Sequence, residues 1–467
     1  MQVTPRTPQK LAIDFLIRHD RANLFASMGI GKTVSAATAI DFRQSVLGDD
    51  RPALIMAPLR VAKLAWPADI KKWNHLKHIE TVQIVGTKKE REAALKELGR
   101  GNAQIAITNY EQLPNLVSEF QKSRKWPFGI HVADESTRIR NFRLRGQGTQ
   151  RAGAIGKIAH LSHVKWWNMS GTPVPKGYGD LWGQLWFIDQ GARLGRTYTA
   201  FKDRWFRGIP DSEFHETELM PHSAPEIERL IADVSLVLKA EDFFDLPSVI
   251  HNRITVELPK EAKDIYRTME KKFFVELDGE GIEAGTVSAR SMKLRQIASG
   301  SIYHDPGWTW LHDAKIDALR SVMNEAMGMP VLVAYQFKAD LERLLRAFPQ
   351  GRVLDKKQQT LDDWNAGKIP ILFAHPASCG HGLSLQEGSN ILCFFSLDFN
   401  LEYFQQMIER IGPTRQMQSG FNRPVIIHYL LADKTIDKYV LDVIIGKATL
   451  QEAFKNALIE YRNQHVI

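Results

Sequence analysis

The sequence predicts an α/β protein with two lobes, each a parallel β-sheet flanked by helices. Three observations support this fold class. Short apolar runs alternate with helical patterns over residues 1–200, and the same alternation returns from residue 331. Between these regions, residues 191–248 mix aromatic and charged side chains with turn signals. Strands that are separated by helices favour a parallel sheet covered on both faces.

Length and composition restrict the class of protein. The 467 residues allow two to four domains at roughly 100–200 residues each, and 44% hydrophobic with 24% charged residues is typical of a soluble globular protein. No apolar run reaches the roughly 18 residues of a membrane-spanning helix, so we expect no membrane partner. The two cysteines make neither a disulfide framework nor a zinc site, and they suit a reducing cytoplasm. The net charge of +8 fits a polyanionic partner.

The predicted elements follow from apolar runs between turn signals and from helical periodicity. In the first lobe, residues 1–245, we predict helices at 11–17, 33–43 and 62–73, strands at 23–25, 53–57, 104–108, 130–133 and 165–169, and a helical insertion at about 191–245. In residues 246–467 we predict a helical connector over 254–299, strands at 331–334, 369–373, 390–396 and 425–430, and a helical tail over 434–463.

The strongest local signal is the segment 26–33, Ala-Ser-Met-Gly-Ile-Gly-Lys-Thr, between a predicted strand and a predicted helix. Its glycines let the backbone curl so that N–H groups point at phosphate oxygens, and the helix N-terminus adds positive potential. We expect Lys32 to reach the β- and γ-phosphates of a nucleotide and the Thr33 hydroxyl to bind Mg²⁺. The predicted phosphate-binding backbone comprises Met28, Gly29, Ile30 and Gly31. The structural alternative is a glycine turn before a surface helix.

A buried strand at 128–135 ends in two carboxylates. Asp134 can hold Mg²⁺ through water, and Glu135 can accept a proton from an attacking water molecule. A solvated acidic turn is the common alternative. The presence of the phosphate loop favours the functional interpretation.

Residues 134–141, Asp-Glu-Ser-Thr-Arg-Ile-Arg-Asn, resemble motif II of the superfamily-two helicases, and most closely the Swi/Snf-type DNA translocases. Six further segments resemble motifs of this family, in its order and over nearly the whole chain. They are 6–9 (the glutamine motif), 54–59 with Trp66 and Trp73 (motif Ia), 107–111 (Ib), 169–173 (III), 379–386 (V) and 406–416 (VI).

The resemblance implies two RecA-like lobes that bind ATP with Mg²⁺, in a minimal form of phage or bacterial type. Gln9 would then read the adenine, and Arg410 would stabilise charge on the transferred phosphoryl group. Pro413 stands where the family has a second arginine, and Arg415 is the alternative. The resemblance also assigns coupling to Ser170, Thr172 and Gly382, and nucleic-acid contacts to Arg60, Thr108 and Ser384.

Two sequence features leave alternatives open. Ser136 and Thr137 replace the Ala-His of the family's motif II, so the link from hydrolysis to motif III is expected to be weakened or rerouted. A basic cluster follows this motif and is either a phosphate track or a solvated loop. Its members are Arg138, Arg140, Arg143, Arg145 and Arg151.

The resemblance therefore implies an ATP hydrolase, most simply a motor that tracks duplex DNA. One alternative is a helicase that separates DNA or RNA strands. Another is an ATP-dependent switch that presents a surface to a protein partner. We expect a separate recruiting protein, and the host cytoplasm as the location if a phage encodes the chain.

Overall fold

The computed structural model describes residues 4–123, 125–209, 217–277, 284–355, 357–378 and 383–465. These residues form two compact units. The first contains the described residues of 1–210, 215–245 and 449–467, and the second contains those of 246–448. The predicted division placed all of 246–467 in the second lobe, whereas the structure packs the chain from Thr449 onwards with the first unit.

A seven-stranded sheet organises the first unit, and all of its neighbouring strands are parallel. The strands of this unit are β1 (Arg21–Ala26), β2 (Ala53–Ala57), β3 (Thr81–Ile84), β4 (Ile105–Asn109), β5 (Ile130–Asp134), β6 (Lys165–Ser170), β7 (Phe206–Gly208), β8 (Thr217–Leu219) and β9 (Ser235–Leu238). The sheet order is β3-β4-β2-β5-β6-β1-β9, and β7 pairs with β8 in a separate antiparallel hairpin.

Nine α-helices accompany these strands among the described residues of the first unit. They are α1 (Thr7–Arg18), α2 (Lys32–Ser45), α3 (Trp66–Lys72), α4 (Lys88–Gly99), α5 (Leu113–Ser123), α6 (Gln150–Gly156), α7 (Leu181–Asp189), α8 (Tyr198–Trp205) and α9 (Ser223–Ile231). Every residue of β2, β4 and β5 is buried, as expected for parallel strands covered on both faces.

The predicted helical insertion at 191–245 is only partly helical. It contains α8 and α9, but also the β7–β8 hairpin and β9, which pairs with β1. The sequence of β9 is only four residues long, Ser-Leu-Val-Leu, and a short apolar run does not distinguish a strand from a buried helical turn.

A six-stranded parallel sheet organises the second unit, in the order β10-β17-β16-β13-β15-β14. The strands of this unit are β10 (Val249–Val256), β11 (Ser301–His304), β12 (Gly307–Trp310), β13 (Val331–Ala334), β14 (Arg352–Val353), β15 (Ile371–Ala374), β16 (Ile391–Phe394) and β17 (Val425–Ala432), of which β11 and β12 form a hairpin. The helices are α10 (Lys260–Leu277), α11 (Ala284–Ser299), α12 (Ala314–Glu325), α13 (Lys338–Ala347), α14 (Gln358–Asn365), α15 (Leu401–Glu409), α16 (Pro413–Gln418) and α17 (Ile436–His465).

The last helix, α17, contributes to both hydrophobic cores. Val440, Leu441 and Ile444 pack in the core of the second unit. Phe454 is fully buried in the core of the first unit, where its ring lies 6.1 Å from Phe25 and 5.4 Å from Tyr178, centroid to centroid. Among the described helices, none has the length and apolarity needed to cross a bilayer.

Candidate active site

The carboxyl ends of three adjacent strands bring the predicted motifs of the first unit together. Strand β6 lies between β5 and β1, with Asp134 opposite Met169 and Ser170 opposite Phe25. Because the three strands are parallel, the segments that follow them leave the sheet at one edge. These segments are the acidic pair, motif III and the phosphate loop.

The loop between β1 and α2 has the conformation that a phosphate cradle requires. Gly29 and Gly31 adopt φ values of 79° and 102°, in the left-handed region that glycine enters without strain. Helix α2 begins at Lys32, so its unpaired N–H groups face the loop. A Cβ atom on Gly31 would collide with the Gln9 amide, and one on Gly171 would lie 3.6 Å from the Ala26 carbonyl oxygen. Gln9 and motif III therefore flank the loop.

The predicted ligands Lys32, Thr33 and Gln9 are held in different ways. The Lys32 ammonium donates to the carbonyl oxygens of Ala26 at 2.7 Å and Ser27 at 3.4 Å, so it must exchange these bonds to reach a phosphate. Met28 and Thr33 are half-buried, and Ile30 is buried. Gln9 is buried on α1, where its Oε1 accepts from the backbone N–H of Arg6 at 2.8 Å.

The acidic pair is buried and held by two aromatic side chains. The Trp66 indole N–H donates to Asp134 Oδ2 at 2.8 Å, and the Tyr110 hydroxyl donates to the Asp134 carbonyl oxygen at 2.8 Å. Burial, with the nearby Asp134 and Glu135 charges, raises the pKa of Tyr110 well above its usual value, so the phenol remains a donor. Glu135 has a φ of 60°, which is uncommon for a residue with a side chain and typical of strained functional sites.

The oxygen donors at this edge fit Mg²⁺. Thr33 lies in the first turn of α2 and Asp134 at the end of β5, and hydroxyl and carboxylate oxygens are the ligands that this ion prefers. Over the described ranges, no group of three or more His, Cys, Asp or Glu side chains is arranged to hold a metal. Two protein ligands suit an ion that keeps several waters and binds substrate phosphates.

Motif III lies directly against this site. Ser170 is fully buried, and its hydroxyl accepts from the backbone N–H of Thr172 at 3.0 Å, which fixes the turn after β6. Tyr110 and Gln184 are not among the predicted site residues, yet both contact the acidic segment, residues 134–141. The sequence does carry a signal for Gln184, because it is a polar residue within the largely apolar helix α7.

In the second unit, the two candidate arginines converge. Gly412 and Pro413 form a turn that starts α16, since Pro413 is the first helical residue. The Arg410 and Arg415 guanidinium groups both donate to the Leu383 carbonyl oxygen, at 3.3 Å and 3.0 Å. Gly382, a predicted coupling residue, lies outside the described residues.

The predicted nucleic-acid contacts have different outcomes. Thr108 is fully buried and its hydroxyl donates to the Ile84 carbonyl oxygen at 2.9 Å, so the expectation that this hydroxyl binds a nucleic-acid backbone is corrected. Arg60 is half-buried before α3, and Ser384 is exposed with its hydroxyl 3.3 Å from Arg415 Nη1. These two assignments stay predictions.

The basic cluster is largely occupied by contacts within the chain. Arg140 lies 3.4 Å from Asp180, and Arg151 donates to the Arg138 carbonyl oxygen at 3.0 Å. The Arg143 guanidinium stacks 3.4 Å from the centroid of the Tyr198 ring. Arg145, by contrast, is exposed. These contacts favour structural roles for most of the cluster over a continuous phosphate track.

Comparisons with known proteins agree with the motifs. Residues 9–301 match the SNF2-related domain family. Protein p41 of Acyrthosiphon pisum secondary endosymbiont phage 1 is 50% identical over 459 residues, which cover 97% of this chain and 98% of that protein. The nuclear protein STH1/NPS1 of Saccharomyces cerevisiae is 23% identical over 95% of this chain, which spans 35% of its length. The solved Sulfolobus solfataricus SWI2/SNF2 ATPase core in complex with dsDNA aligns at 17% identity with a TM-score of 0.44, covering 99% of this chain and 97% of that one.

Proposed function

Because this chain belongs to the SNF2-related family, we propose that it hydrolyses ATP and uses the cycle to move along duplex DNA without fully separating the strands. One observation carries the proposal. The phosphate loop, the acidic pair and motif III leave three neighbouring parallel strands at a single edge of the first sheet. This is where open α/β sheets bind their ligands.

Each residue at this edge has a distinct proposed role. The loop N–H groups and Lys32 bind the phosphates, and Gln9 beside Gly31 contacts the base. Thr33 and Asp134 would hold Mg²⁺, which when bound neutralises charge on the phosphate oxygens. Glu135 takes a proton from the attacking water. Its side chain is buried, and its φ of 60° is typical of residues held under strain at functional sites.

We propose that Arg410 and Arg415 assist hydrolysis from the second unit. Their common contact with Leu383 supports a joint role, because two guanidinium groups at one point concentrate positive charge. Arg415 would then replace the arginine that Pro413 displaces. Duplex DNA is supported by the likeness of motif II to DNA translocases and by the net charge of +8.

The test is steady-state ATP hydrolysis with no polymer, single-stranded DNA, duplex DNA or RNA, at low and moderate salt. The Lys32→Ala variant serves as the blank. We expect duplex DNA to stimulate turnover strongly and the stimulation to decrease as salt rises, since backbone contacts release counterions. Stimulation only by single strands or RNA would favour a strand-separating helicase. A slow rate that no polymer changes would favour a nucleotide-dependent switch and contradict the motor.

We further propose that a separate protein recruits the motor and that the motor works in the host cytoplasm. The 50% sequence identity with a phage protein supports this proposed location. Pull-down of partners from infected cells with the Glu135→Gln variant, in the presence of ATP, would test recruitment. Recovery of no partner beyond the Lys32→Ala background would contradict it.

A further inference from the structure

Helix α7 contacts the acidic segment through a buried hydrogen bond. The Ser136 hydroxyl, directly after Glu135, donates to Gln184 Oε1 on α7 at 2.7 Å. Both side chains are fully buried. The neighbouring Thr137 hydroxyl has no hydrogen-bond partner in the described part of the chain. Of these two hydroxyls, therefore, that of Ser136 is the one that links the segment to α7.

The same glutamine side chain contacts motif III. Gln184 Nε2 donates to the carbonyl oxygens of Pro173 and Asp180, both at 2.9 Å. Its acceptor is thus occupied by the acidic segment and one donor by Pro173 of motif III, while the second donor bonds Asp180 just before α7. One side chain bridges the two segments that follow β5 and β6.

The backbone of α7 also lies tightly against the acidic segment. A Cβ atom on Gly183 would collide with the Arg140 carbonyl oxygen, so only glycine permits this approach. Arg140 Nε lies 3.4 Å from Asp180 Oδ1 at the start of the helix. Asp180 Oδ2 in turn accepts from the backbone N–H of Lys176, in the loop after motif III. Arg140 therefore contacts both α7 and its N-terminal flanking residue Asp180, and Asp180 also binds the loop after motif III.

We infer that α7 transmits movement between the acidic segment and motif III, and that Ser136 and Gln184 are the positioning residues of this link. A shift of Ser136 must either carry Gln184 and Pro173 with it or leave buried polar atoms without partners, which is costly. The inference rests on the proposed function and deepens it. It assigns to two residues of this chain the coupling of ATP turnover to DNA.

The test compares the ratio of DNA-stimulated to DNA-free ATP turnover in Ser136→Ala, Gln184→Met and the double variant. The matched control is Ser223→Ala, which also removes a fully buried serine hydroxyl. That hydroxyl donates to the Trp205 carbonyl oxygen at 2.9 Å. Thermal melting of each variant checks that it is folded.

We expect Ser136→Ala and Gln184→Met each to lower the ratio about tenfold, equivalent to about 1.4 kcal/mol of coupling free energy. The double variant should show no further loss, because both changes break one link. Ser223→Ala should retain the wild-type ratio. Ser136→Ala removes a single hydroxyl, so it keeps the test valid if Gln184→Met does not fold.

Three results would overturn the inference: a wild-type ratio in Ser136→Ala, an equal loss in Ser223→Ala, or multiplicative losses in the double variant. Each of them requires a wild-type protein that DNA stimulates, so each leaves the proposed function intact. A wild type that DNA does not stimulate would refute the proposed function and the inference together.

Discussion

Replacing Trp66 by Phe should raise the Mg²⁺ concentration that ATP turnover requires, while the fold stays intact. Trp66 is the first residue of α3 and is fully buried, and its indole N–H lies 2.8 Å from Asp134 Oδ2. The bond fixes the orientation of a carboxylate that we assign to the metal. Phenylalanine fills most of the same space but donates no hydrogen bond.

The size of the effect follows from the type of bond. A hydrogen bond to a charged group contributes about 1.5–3 kcal/mol, and loss of a residue that orients a metal ligand commonly costs roughly 10- to 100-fold in metal affinity. We expect the Mg²⁺ concentration for half-maximal ATP turnover to rise by about that factor. Binding of a fluorescent ATP analogue should show the same shift in its Mg²⁺ dependence and little change without Mg²⁺.

Trp205→Phe is the matched control. Trp205 is equally buried in the first unit, and its indole N–H donates to the Leu194 carbonyl oxygen at 2.9 Å, remote from the acidic pair in sequence. This variant should lose stability without a change in Mg²⁺ dependence. An unchanged Mg²⁺ requirement in Trp66→Phe, or an equal shift in the control, would refute the assigned role of the indole.

Three further substitutions test other parts of the structure. Glu135→Gln should bind ATP normally but slow turnover by about 100-fold or more, since an amide accepts no proton; intact turnover would contradict its role as base. Arg415→Ala should slow turnover by about 100-fold, and an unchanged rate would leave Arg410 alone in the role. Phe454→Ala should lower the free energy of unfolding of the first unit by roughly 3–5 kcal/mol, because it leaves a cavity beside Phe25. Denaturant titrations measure this loss. A loss below about 1 kcal/mol would show that α17 does not stabilise this core.

Local patterns predicted several elements closely. The strands at 53–57 and 331–334 have the predicted bounds, because a strand buried on both faces is a continuous apolar run between turns. The phosphate loop was equally visible, since its glycines, lysine and threonine are adjacent in sequence. The RecA-like α/β class with two parallel sheets is confirmed by the strand orders together with the family match.

Predictions failed where a residue's partner lies far away in the chain. Strand β9 is identified only by its pairing with β1, more than 200 residues earlier. A threonine hydroxyl can bind a phosphate, yet the Thr108 hydroxyl donates to the carbonyl oxygen of Ile84 on the neighbouring strand. The part of α17 around Phe454 belongs to the first unit, because the Phe454 ring is buried in its core beside Phe25.

The sequence by itself therefore determined the fold class and located the glycine loop before α2 and the carboxylate pair after β5, because each depends on residues that are close in the chain. Only the tertiary structure decided how these parts are held. Trp66 reaches Asp134 across 68 positions, and Ser136 reaches Gln184 across 48. Such contacts depend on which strands are neighbours in the sheet and on how closely a helix approaches them. Side-chain hydrogen bonds form only once packing has set those distances.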